Sequence, residues 1–169
     1  MIHSPILDKK FVTFIETNID EDGTITMTND GNGIDVAQHP EYKIWIPELI
    51  FGELLTSTNY DKGEEKIWGG KNGYGSKLAN IFSKEFIVET VDHYSGKIYT
   101  QAFRNNMTER DKPNVKASSK APYTQITFKP DYEKFGLDNL DRDNYEMIKK
   151  RVYDISACNH TLKIYFNKK

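Results

Sequence analysis

The residues best suited to chemistry lie at positions 69–77, where GGKNGYGSK places four glycines, two lysines and a serine in nine positions. Glycine lets backbone N–H groups approach an anion closely, and the N-terminus of a following helix favours negative charge. Phosphate is the natural ligand of such a segment; taken alone, the same composition serves equally as a flexible loop. It is not a P-loop, because Gly70 and Gly75 precede Ser76 and then Lys77, the reverse of the required Lys-Ser order. The dinucleotide pattern G-x-G-x-x-G fails too: Val36 stands where the third glycine after Gly31 and Gly33 is needed, and Leu78 where it is needed after Gly73 and Gly75. A second turn, NDGNG at residues 29–33, reads by itself as an ordinary Asn/Asp/Gly turn. Glu48 and Glu53 are the carboxylates nearest the glycine segment and are expected on the solvated side of a helix. His3, His39, His93 and His160 show no metal-ligand spacing.

The elements that must position these residues follow from periodicity. Residues 11–18 and 24–28 alternate apolar and polar types around Asp20, Glu21, Asp22 and Gly23, which predicts a β-hairpin. Pro47 opens a stretch in which Leu49, Ile50, Leu54 and Leu55 recur at helical spacing, so a helix is expected to about Leu55. Residues 56–72 lose all periodicity and read as a long lid or binding loop. A helix is expected over residues 76–82, with Leu78, Ile81 and Phe82 on its apolar face. Strands are expected at 85–91, 97–103, 123–128 and 161–166. An amphipathic helix at 141–157 would carry Tyr145, Ile148, Val152 and Ile155 on one side. With no internal repeat and no linker, the fold class is α+β in two layers, a single domain over residues 1–169.

Composition bounds the function. The chain has 169 residues, 37% hydrophobic and 28% charged, enough for a packed core. Its net charge of -2 argues against a domain that neutralises many phosphates of DNA with its own surface. One cysteine, Cys158, excludes an intrachain disulfide framework and fits a reducing compartment. The start has no apolar stretch of the signal-peptide kind, and the expectation is an intracellular, soluble protein.

Together, the two glycine turns separated by a helix and a polar loop resemble the two glycine boxes of the GHKL (Bergerat) ATPases. Within that group, IPELIFGELLTSTNYD at 46–61 and GGKNGYGSKL at 69–78 are similar to eukaryotic-type DNA topoisomerase II. YTQITFKPD at 123–131 and RVYDI at 151–155 continue the match, which covers roughly residues 20–157. The resemblance implies a two-layer α/β sandwich with a mixed, mostly antiparallel sheet and helices on one face. It implies ATP as ligand, with Asn29 accepting from the adenine amino group and Ile34, Ile50 and Phe51 lining the base pocket. Ser57, Thr58 and Asn59 would contact ribose and phosphate. Gly70, Lys71, Asn72, Gly73, Tyr74, Gly75, Ser76 and Lys77 would wrap the triphosphate, and Thr124 would add a hydroxyl from a neighbouring strand.

The same resemblance implies Mg2+ bridging the phosphates, DNA engaged through other domains, and a homodimer in the full protein. Catalysis in that family uses a helix carrying E-x-x-x-N-x-x-D, with Glu as base and Asn as magnesium ligand. No such string occurs in the 169 residues. The family spacing would put both groups at or before Met1, so the expectation is an ATP-binding part of a type II topoisomerase that does not hydrolyse ATP by itself. A topoisomerase-derived module that binds nucleotide or a partner without turnover is the alternative.

Overall fold

Alternation of residue types sets the sheet, and the sheet sets everything else. The structure is a computed structural model describing residues 12–53 and 74–168. The predicted hairpin forms from β1 (Phe14–Ile19) and β2 (Ile25–Asn29), paired antiparallel from Ile15↔Asn29 to Ile19↔Ile25. A long hairpin follows in β3 (Ser83–Asp92) and β4 (Lys97–Arg104). Two short strands, β5 (Glu109–Arg110) and β6 (Asn114–Ala117), line the outer edge of β4. Then come β7 (Tyr123–Pro130) and β8 (Lys163–Phe166). The order is β5-β4-β3-β7-β2-β1-β8, and among the described residues only β1 and β8 pair parallel.

Register places Phe86, Val88 and Thr90 of β3 beside Phe103, Gln101 and Tyr99 of β4 and beside Phe128, Ile126 and Thr124 of β7. Successive strand residues point to opposite faces, so these side chains share one face. Helix α1 (Ile46–Gly52) lays Phe51 on that face, 5.9 Å from the ring of Phe86, which also meets Phe103 and Phe128. Fully burying one such side chain contributes about 1.5–3 kcal/mol, which makes this aromatic cluster the anchor of the core. Pro47 sits in the first turn of α1, where no N–H is required. Helix α2 (Tyr74–Ile81) packs between α1 and β3.

Helix α3 (Arg142–Cys158) is capped by Asp141, whose carboxylate accepts from the Asn144 N–H at 2.7 Å. It docks on β8 through Tyr145 against Phe166. Register puts Phe166 on the same face as Thr17, Met27 and Ile126, so α1, α2 and α3, the α-helices among the described residues, lie on one side. The expected α+β two-layer class is observed. Val152 of α3 is buried as expected, but Ile155 is exposed; the main partner of the helix is the edge strand β8. Helix α1 ends at Gly52 with Glu53 extended; Leu54 and Leu55 lie outside the described residues.

Candidate functional site

The turn after β2 is built from backbone donors and short polar side chains. Asn29 ends β2, and its side-chain oxygen accepts the Gly31 N–H at 3.1 Å. The Asp30 carboxylate accepts from the backbone N–H groups of Thr13 at 2.7 Å and Phe14 at 2.9 Å, tying the turn to the start of β1. Gly33 has φ +76°, and a Cβ there would lie 2.0 Å from the Val91 carbonyl oxygen, so only glycine lets the turn lie flat on β3. Ile34 N–H donates to the Thr90 hydroxyl at 2.9 Å, and His93 N–H to the Asn32 carbonyl at 2.9 Å.

Beyond the turn, Asp92 accepts from the Val36 N–H at 3.1 Å. Burial works to raise the Asp92 carboxyl, yet the hydrogen bonds from Ser95, Val36 and Tyr94 together hold it below the usual carboxylate range. Asp35 moves the other way, raised by burial and then by the charge of Asp92.

Under this turn runs one rung of the sheet: Asn29 pairs with Thr124, and Thr124 with Thr90. The Thr90 hydroxyl is fully buried, donates to the Tyr123 carbonyl at 2.9 Å and lies 3.1 Å from the Thr124 hydroxyl. The structure thus brings together Asn29, Ile34 and Thr124 through a residue that sequence reading passed over. Thr90 looks like an ordinary strand threonine in VETVD, and only register reveals its neighbours.

The second part of the site is the junction of α1 and α2. Asn80, fully buried, donates from Nδ2 to the Phe51 carbonyl at 3.1 Å and so satisfies one of the last carbonyls of α1. Phe51 itself belongs to the core, whereas Ile50, the position before it in the helix, is exposed. The expected inner face of α2 is corrected here. Leu78 is 50% exposed and Phe82 40%, while Lys77 at 3% and Asn80, three positions apart and on one face, point inward. Burial pushes the Lys77 ammonium down from its ordinary range. Tyr74 and Gly75 open the helix, exposed, with Ser76 half-buried behind them. Ser57, Thr58, Asn59, Gly70, Lys71, Asn72 and Gly73 lie outside the described residues.

Glu48 corrects a further expectation. It is buried, and Arg110 of β5 donates to it at 3.3 Å and to Glu53 at 2.6 Å. The side chain faces β4 and β5, and its partner lies 62 positions away in sequence, so no local signal could have shown the pairing. Among the described residues there is no group of three or more His, Cys, Asp or Glu side chains that could hold a metal ion. None of the described helices is long and apolar enough to cross a membrane.

No family model matches the chain. DNA topoisomerase 2 of Acanthamoeba polyphaga mimivirus is 54% identical over 156 residues, covering 92% of this chain and 12% of that protein. Probable DNA topoisomerase 2 of Dictyostelium discoideum is 51% identical over 156 residues, 91% of this chain and 10% of that protein. The crystal structure of the ATPase region of Saccharomyces cerevisiae topoisomerase II superposes with a TM-score of 0.91 at 46% identity, covering 95% of this chain and 43% of that one. A sheet of this order with helices on one face is therefore the fold of an ATPase region. The chain belongs to the DNA topoisomerase 2 family. It spans about a tenth of the length of the curated relatives it matches.

Proposed function

We propose that this chain holds ATP on the helix-bearing face of the sheet, as the nucleotide-binding part of a type II DNA topoisomerase. Asn29 accepts from the adenine amino group, with Ile34, Ile50 and Phe51 as the apolar wall and Thr124 beside the base. Lys77 and the backbone N–H groups of Tyr74, Gly75 and Ser76 take the phosphates, continued by Gly70, Lys71, Asn72 and Gly73. Ser57, Thr58 and Asn59 complete the ribose side. In the longer protein, ATP binding and hydrolysis drive one DNA duplex through another. DNA is held by other domains of a homodimer, and Mg2+ is bound by residues other than those described. The isolated chain binds nucleotide without turnover.

The observation that carries this reading is Gly75. It lies in the first turn of α2 with an ordinary helical φ, and a Cβ there would meet nothing within 4 Å among the described residues. Neither backbone conformation nor packing with those residues asks for glycine, whereas close approach of an anion to its N–H does. Calorimetric titration with a non-hydrolysable ATP analogue tests the reading. The chain should bind, and Lys77→Ala should weaken binding by about tenfold or more, the loss of one charge-assisted hydrogen bond. Equal affinity in both proteins would overturn the phosphate assignment.

A further inference from the structure

The three polar contacts of Thr90 fix where its proton goes, and with it the proton of its neighbour. A hydroxyl has one proton to donate and two acceptor positions. The Tyr123 carbonyl, 2.9 Å away, can only accept, so Thr90 donates there. The Ile34 N–H, 2.9 Å away, can only donate, so Thr90 accepts there. Its one remaining position is an acceptor, and the Thr124 hydroxyl lies 3.1 Å away. Only one arrangement satisfies all three contacts, and in it Thr124 donates its proton to Thr90. Thr90 is fully buried, so within these contacts it has no proton left to give.

We infer that Thr90 is a positioning residue that sets base specificity by consuming the Thr124 proton, leaving Thr124 to present only lone pairs toward the base. The inference rests on the nucleotide reading above, in which Asn29 and Thr124, adjacent partners across β2 and β7, face the base. With the Thr124 oxygen and the Asn29 side-chain oxygen both acting as acceptors, that end of the pocket favours a donor. The 6-amino group of adenine is a donor; the 6-oxo group of hypoxanthine or guanine is an acceptor. Sites that match hydrogen-bond polarity discriminate by leaving the wrong ligand, or their own groups, unpaired.

The test compares ADP with IDP, whose base differs at the 6-position and in the N1 proton that accompanies it. Wild type should prefer ADP. Thr90→Val frees the Thr124 proton to turn toward the ligand, so the ADP-to-IDP affinity ratio should fall by about tenfold, whereas Thr90→Ser should keep it. A Thr90→Val protein that loses affinity for both ligands in proportion, with the ratio unchanged, makes Thr90 merely structural and overturns the inference. A second measurement needs no variant: the wild-type Thr124 hydroxyl proton should be visible by NMR, slow to exchange with water and close in space to the Thr90 side chain. A freely exchanging Thr124 proton overturns the inference on its own. Wild-type protein that binds neither nucleotide removes the nucleotide reading itself; binding without the predicted ratio change removes only the role of Thr90.

Discussion

Replacing Gly75 with alanine should strengthen the fold and weaken the site at once. Gly75 is the second residue of α2, and nothing among the described residues occupies the space a Cβ would enter. Alanine costs less backbone entropy than glycine in a helix, by about 0.5–1 kcal/mol. For a chain of this size that raises Tm by about 1–4 °C. On the proposed reading the same methyl group would stand where a phosphate oxygen approaches the backbone, and losing one hydrogen bond to a charged group costs about 1.5–3 kcal/mol, or roughly 10–150-fold in affinity. Thermal melts with and without a non-hydrolysable ATP analogue read both quantities, because ligand stabilisation grows as the logarithm of concentration over Kd. A higher Tm with affinity unchanged within about twofold would refute the reasoning that Gly75 is kept for the anion. A lower Tm would show that its neighbourhood is packed.

Gly33→Ala should destabilise by about 3 kcal/mol or more in urea titrations, since a Cβ would sit 2.0 Å from the Val91 carbonyl oxygen at a positive φ. Asn80→Ala should cost about 1–3 kcal/mol by the same measurement, because the buried Phe51 carbonyl loses its donor. For Lys77, burial lowers the folded pKa, so nucleotide affinity should be constant below that value and be lost as pH rises through it, earlier than for an ordinary lysine. The sign for stability is opposite: the unfolded chain holds the proton longer, so stability of the free protein rises with pH between the two pKa values. Titrations from neutral pH up to the ordinary lysine range check this, and Lys77→Arg, which stays protonated, should remove the alkaline loss of binding.

The elements that sequence shows well are those whose signals are local. Asp20, Asp22 and Gly23 mark the turn of the first hairpin, Pro47 the start of α1, and Asp141 the cap of α3; both helices begin within two residues of the expected place, and β1 begins three residues later than expected. Hydropathy misled at α2, because Lys77 and Asn80 are the side chains folded inward while Leu78 and Phe82 stay outside. Strand β5 is two charged residues, and β6 alternates polar and apolar types over only four residues, too short a run to read as a strand. Thr90 and Arg110 were invisible for a different reason. Their partners come from β7, the turn after β2 and α1, and only the register of the folded sheet brings them together. The Asn/Asp/Gly turn after β2 was legible in the sequence, whereas the polar rung beneath it was not.

The central claim is the location of the nucleotide, and backbone amide NMR of the chain titrated with a non-hydrolysable ATP analogue tests it directly. Resonances of Gly31, Gly33, Ile34, Thr90, Thr124, Gly75 and Lys77 should shift together with one Kd. The open polar groove on the opposite sheet face, lined by Glu16, Asn18, Thr26 and Gln125, should stay unchanged. Shifts confined to that groove, or saturable shifts that spare the Gly75 and Thr124 signals, would contradict the account.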